Sequence, residues 1–284
     1  MTRVDQFESV FRSADKPVFE YHPLELGRIL VVCDLIGAQA RTFLAEVRSL
    51  LDVLGPAARW ELVDGDAFTT TGELLECVST RRPDLICTYR NLHSEAWRWP
   101  HSLGEHLDVL TQTTSSAVLV LPHPAAGRRD AHTLADTDTV MAVTDHLAGD
   151  ASLVNAAAAF TSDGGTLWLV HVEDERGFER TMDVVSKIDE IDTQTARERI
   201  HAQLVKEPAD YIGSCRDAIL ARRPTLAVEE VITVGNHVVE FRGLIEEHTV
   251  DLLVMHTKDD EQSAMHGLAY PLAVELREIP LLLL

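Results

Sequence analysis

Four short apolar runs occur twice along the chain. RILVVCDL (28–35) and TVMAVTDH (139–146) each read as a buried strand ending in an aspartate. RWELVDGD (59–66) and EEVITVGN (229–236) each run into a glycine. PDLICTYR (83–90) matches VDLLVMHT (250–257), and SAVLVLP (116–122) matches IPLLLL (279–284). Apolar runs without alternation suit strands covered on both faces, as in a parallel sheet. Helical patterns lie between them. ARTFLAEVRSLLDVLG (40–55) has apolar residues at 43, 44, 47, 50, 51 and 54, a helix stripe closed by Gly55. TTGELLECVSTRR, SLGEHLDVLTQTT, HVVEFRGLIEEHT and LAYPLAVELRE read the same way, with Pro271 near the start of the last, where a helix tolerates it. Strands alternating with helices predict an α/β fold of right-handed βαβ units on an open parallel sheet.

The spacing between the copies is uneven. Asp34 and Asp145 stand 111 residues apart, whereas Asp84 and Asp251 stand 167 apart, so the second copy carries 56 additional residues after its first strand. That insertion holds GGTLWLVHVEDE (164–175), an extra strand, and a long helical region, 177–223. Phe178, Met182, Val185, Ile188 and Ile191 form a helix stripe there, and a second stretch, ADYIGSCRDAILARR, follows Pro208. Packing against its own sheet is the reading preferred over a flap or a contact surface. The expected organisation is an N-terminal arm (1–26), a reduced domain (27–124), a linker (125–138) and a complete domain (139–284). FESVFRSADKPVFEYHPLEL, in the arm, reads as a short helix and an extended stretch packed on the body.

Composition narrows the partners. The 284 residues are 45% hydrophobic and 25% charged, a globular balance. A formal net charge of −21 repels phosphate backbones and anionic headgroups, so neither nucleic acid nor membrane is an expected partner. No window approaches the ~20 apolar residues of a membrane span, and the first residues lack a signal-peptide stretch. Cys33, Cys77, Cys87 and Cys215 form no CxxC pair and read as free thiols of a cytoplasmic protein.

The order VMAVTDH, LWLVHV, VITVGN, VDLLVMHT and terminal PLLLL resembles the universal stress protein family in its tandem form, over residues 28–284. That resemblance implies two open parallel-sheet domains about a pseudo-twofold axis, joined through SAVLVLP and IPLLLL, and allows a further homodimer. It also implies an aspartate after strand one and, in ATP-binding members, a G-x2-G-x9-G-[ST] loop after strand four. Glycines in such a loop let backbone N–H groups approach phosphate oxygens. Asp145 matches the first element. The second is missing: His256 follows Met255, then Lys258, Asp259, Asp260 and Glu261, with Gly267 late. In the first copy, Asp34 is present, but the bulky Trp97 and Trp99 stand in the corresponding loop.

Ligands of open α/β sheets bind beyond the carboxyl ends of the strands, where strand order reverses. The second copy places Asp145, His146, His171, Gly235, His237, His256 and Thr257 there. Imidazoles beside a carboxylate suit a transition metal or an anion, but no HxxxH or HExxH spacing fixes a pair, and no metal is assigned. His93, His101 and His106 read as surface residues. No GxSxG elbow or other catalytic constellation occurs, so an enzyme is not expected. The expectation is a non-catalytic stress-response regulator that acts through protein contacts, with itself or unidentified proteins, and without ATP in the family's usual way. The alternative is a sensor that holds ATP or AMP in the second crevice.

Overall fold

The computed structural model describes residues 19–99, 102–126, 134–144, 151–257 and 269–284. The apolar runs form nine strands: β1 (Arg28–Val32), β2 (Arg59–Val63), β3 (Leu85–Tyr89), β4 (Ala117–Leu121), β5 (Thr139–Thr144), β6 (Thr166–Asp174), β7 (Ala227–Gly235), β8 (Leu252–Met255) and β9 (Leu281–Leu283). The helices among the described residues are α1 (Gly37–Leu50), α2 (Thr71–Arg81), α3 (Glu105–Thr113), α4 (Ala151–Phe160), α5 (Glu175–Val185), α6 (Thr193–Leu220), α7 (His237–His248) and α8 (Ala269–Glu275). None of them is long and apolar enough to cross a membrane.

One nine-stranded sheet runs in the order β2-β1-β3-β4-β9-β8-β5-β6-β7. Every described pairing is parallel except β4 with β9, which run antiparallel with Val118, Leu119 and Val120 opposite Leu283, Leu282 and Leu281. SAVLVLP and IPLLLL therefore meet directly. The block β2-β1-β3-β4 repeats the order β7-β6-β5-β8-β9 with the counterpart of β6 missing, which is the strand that the uneven spacing placed in the second copy only. Buried side chains of both blocks merge into one apolar core.

The repeated aspartate of PDL and VDL has a structural task. Arg82 and Thr249 end α2 and α7 in the left-handed region, at φ 46° and 49°. The chain then turns so that Asp84 accepts from Gly27 N and Arg28 N at 2.9 and 2.8 Å, and Asp251 accepts from Thr139 N at 2.9 Å. Each carboxylate thus takes up the backbone donors where the neighbouring strand begins.

The long helical region differs from its sequence reading in two ways. The helix α6 continues through Pro208, because Tyr211, Ile212, Cys215 and Ile219 bury against the sheet and outweigh the one backbone bond the proline removes. The stripe from Phe178 stops at α5: Phe178 and Met182 are buried, but Ile188 and Ile191 lie past the helix end and are exposed. Arg197 of α6 holds Glu179 of α5 through two bonds, 2.6 and 2.8 Å, with its guanidinium over the Phe178 ring.

Two further contacts tie the blocks together. The stretch ahead of β1 is extended and lies on the second block: Phe19 packs edge-on to Tyr211, while Asn155 accepts from His22 N at 3.0 Å and donates to Glu20 O at 3.4 Å. The short helix expected earlier in the arm falls outside the described residues. Arg90, directly after β3, is only 2% exposed and donates to the carbonyls of Ala273 and Leu276 at the C-terminal end of α8. A cation there complements the helix dipole. Burial, with Arg277 nearby, lowers its pKa to about 9. Replacing Arg90 with Met is expected to leave those carbonyls without their donor and lower stability by roughly 2–3 kcal/mol. Urea unfolding reads this directly, and an unchanged midpoint would show that the cap carries no stability.

Candidate functional site

Strand order reverses between β1 and β3 in the first block and between β5 and β8 in the second. These are the switch points at which open α/β sheets take ligands.

The first switch point is filled by the chain itself. Asp34 follows β1, and Tyr89 ends β3 beside it. The Tyr89 hydroxyl donates to one carboxylate oxygen of Asp34, and Asp34 N donates back to Tyr89 Oη at 3.2 Å. His93 N donates to the other carboxylate oxygen at 2.6 Å. Burial and the adjacent carboxylate push the Tyr89 pKa up, which keeps its proton in place as the donor. The loop reaches Asp34 because Asn91 and His93 adopt left-handed backbone, φ 57° and 54°. Gly104 makes that turn feasible, since a Cβ there would stand 2.7 Å from Asn91 Cα.

Aromatic rings complete the closure. The Phe43 and His123 rings each lie 5.1 Å from Tyr89, and Trp97 stacks on His123 at 4.9 Å and 11°. His123 Nδ1 accepts from Ala125 N at 3.1 Å, so this nitrogen carries no proton. Trp97 is thus a packed cover, while Trp99 is 64% exposed. One sequence reading is corrected: His106 is buried, not a surface residue, with its ring 5.7 Å from Phe68 and 5.6 Å from His93. The turn that brings Gly104 onto Asn91 carries the start of α3, and His106 with it, inside. His93 is exposed, as expected, and His101 lies outside the described residues.

The second switch point is only partly described. Asp145, His146 and residues 258–268 of the loop after β8 lie outside the described residues. His256, the counterpart of Tyr89, is half-buried, with Nε2 3.4 Å from Ser152 Oγ in the first turn of α4. Thr257 is buried, and its N–H and hydroxyl both donate to Leu284 O, at 3.0 and 2.8 Å. His171 pairs in register with Thr144 and places Nε2 3.4 Å from Glu173. Gly235 ends β7, where an added Cβ would meet the Glu240 side chain at 2.8 Å. His237 opens α7 with its ring 6.1 Å from Phe241.

The sequence-derived residues therefore share one sheet end but are spread over it. His256 directly follows β8, His171 lies two strands away on β6, Gly235 ends the outer strand β7 and His237 opens the helix after it. Among the described residues no group of three or more His, Cys, Asp or Glu side chains could hold a metal ion. Residue patterns missed the closure of the first crevice. The matched runs PDLICTYR and VDLLVMHT contained its signal, because Tyr89 occupies the position of His256 and so stands where a ring can reach the aspartate after β1.

Comparison with known proteins found no matching family model and no matching curated protein. Solved structures gave distant likenesses. A functionally unknown protein from Pseudomonas aeruginosa PAO1 is 14% identical, covering 91% of this chain and 92% of its own, with a TM-score of 0.49. A Pseudomonas aeruginosa UCBPP-PA14 protein with a provisional universal stress protein name is 12% identical, covering 91% and 93%, with a TM-score of 0.48. A universal stress protein from Archaeoglobus fulgidus DSM 4304 is 14% identical, covering 90% and 85%, with a TM-score of 0.44. At these values the strand order itself, rather than the likeness, carries the fold assignment.

Burial lowers the pKa of His123, with Asp34 pulling weakly the other way. A histidine whose folded pKa is depressed contributes its full packing stability above the unfolded value and loses it as pH falls below that value. NMR titration is therefore expected to place the His123 midpoint below 6.5, the ordinary histidine value. The acid-side loss of stability below that pH should be shallower in His123→Gln. A midpoint at or above the ordinary value would contradict this packing.

Proposed function

We propose that this protein is a non-catalytic regulatory protein of the universal stress type, cytoplasmic, and acting through protein contacts rather than through ATP held in the family's usual way. The observation that carries the reading is the closed first crevice. Asp34, the carboxylate that follows β1 at this switch point, is already bonded to Tyr89 and His93. The second crevice supports it through composition: the loop after β8 reads HTKDDEQ, where glycines would be needed to cradle phosphate and where acidic side chains repel it. The four cysteines are free, which fits a reducing compartment.

A second reading is an adenine-nucleotide sensor. It is favoured by Asp145 after β5 and by His256, which unlike Tyr89 is only half-buried at its switch point. Thermal unfolding with ATP, ADP, AMP, Mg²⁺ and Zn²⁺, each added at millimolar concentration, separates the two. A ligand at 100 times its dissociation constant adds about 2.7 kcal/mol. The protein-contact reading expects no shift with any of the five. A rise with a nucleotide, abolished in Asp145→Ala, would replace it with the sensor.

A further inference from the structure

A cleft with a volume of about 820 Å³ lies away from both crevices. That is in the upper part of the ~300–1,000 Å³ range of ligand clefts. Five segments wall it: the stretch ahead of β1, the end of α1 with the turn after it, Asp136 ahead of β5, the end of α4 with the loop that follows, and Arg223 after α6. Both blocks contribute, so the cleft exists only because they share one sheet.

Its chemistry is two-sided. Leu24, Leu26, Leu50 and Leu54 supply an apolar wall, and Leu24 is 41% exposed to the open space. Asp52, Asp136 and Asp163 stand around it, with Arg223 as the cation among the lining residues. Arg223 is already committed: it donates to Ala158 O, to Thr161 O at 2.9 Å and to Asp163 at 2.7 Å, capping α4. Asp163 is neutralised by that contact. Among the described residues the Asp136 carboxylate accepts only from the backbone of Asp138, and Asp52 accepts from Gly55 N through its backbone carbonyl, not through its carboxylate. The cleft therefore offers two uncompensated carboxylates beside a leucine wall of which Leu24 is exposed.

We propose that this inter-block cleft is a docking site for a basic, leucine-bearing peptide segment of a partner protein. Aliphatic side chains of the segment lie on Leu24 and its neighbours, and lysine or arginine groups pair with Asp52 and Asp136. The proposal rests on the protein-contact reading and names where that contact is made. An acidic segment would meet like charge, and an uncharged apolar one would leave both carboxylates desolvated without a partner.

Because the whole chain carries −21 charges, general attraction must be separated from docking. The test is fluorescence anisotropy of the full chain with fluorescein-labelled Lys-Leu-Lys-Leu-Lys-Leu, and with Glu-Leu-Glu-Leu-Glu-Leu as the opposite-charge probe. The basic peptide is expected to bind saturably and the acidic one not. Asp52→Asn with Asp136→Asn, two exposed positions, should weaken binding about tenfold, roughly 1.4 kcal/mol. Leu24→Ser, which removes no core contact, should also weaken it. Asp189→Asn with Glu190→Gln removes the same charge on the α5–α6 connection and should leave binding unchanged. Equal losses in the two double variants, no effect of Leu24→Ser, or no saturable binding of the basic peptide would each overturn the docking site. A nucleotide-induced rise in thermal stability would instead sink the underlying protein-contact reading, whatever the peptide does.

Discussion

The antiparallel pairing of β4 with β9 is the contact on which the rest of the molecule depends. Two blocks of parallel strands would each end in an open edge of apolar side chains, Ala117–Leu121 in one and Leu281–Leu283 in the other. Exposed apolar edges of that kind attract other chains. Pairing them removes both edges at once and makes one sheet of nine strands, leaving only β2 and β7 at the borders. It also brings the end of β3 close enough to α8 for Arg90 to cap that helix, a bond that spans 183 residues of sequence. The cleft between α1, α4 and the extended arm follows from the same juxtaposition.

Within that shared sheet the two blocks have diverged at the position where such folds hold ligands. The first has one strand fewer, and its Tyr89 and His93 bond to Asp34 while His123 packs on Tyr89 and Trp97 on His123. The closure is held by geometry that the chain adopts at a cost, two non-glycine residues in left-handed backbone, offset by charge-assisted bonds to a carboxylate. The second has the additional strand β6, and of its described switch-point side chains His256 contacts Ser152 and His171 contacts Glu173.

Much of this was legible in the residues. Every strand falls on an apolar run read from the pattern, because a strand buried on both faces needs a continuous apolar stretch. The missing strand of the first block was visible as a jump in spacing between paired aspartates, Asp34–Asp145 against Asp84–Asp251. Helix limits were less legible: Pro208 signals a break, yet buried Tyr211 and Ile212 keep α6 whole, and Ile188 and Ile191 continue a stripe after the helix has ended. Local pattern cannot weigh one lost hydrogen bond against packing that the sheet supplies.

The sequence by itself thus determined the fold class, the strand set and the absence of a glycine cradle after β8, since all of these depend on residue type and near spacing. Only the tertiary structure decided that Tyr89 closes on Asp34, that His106 is buried, that Arg90 caps α8 and that a leucine-walled, acidic cleft opens between the blocks. The closure and the cap join groups far apart in the chain, Asp34 and Tyr89 at 55 residues and Arg90 and Leu276 at 186. Contacts at that range depend on where the sheet places strand ends in space, and no local pattern of polar and apolar positions encodes that placement.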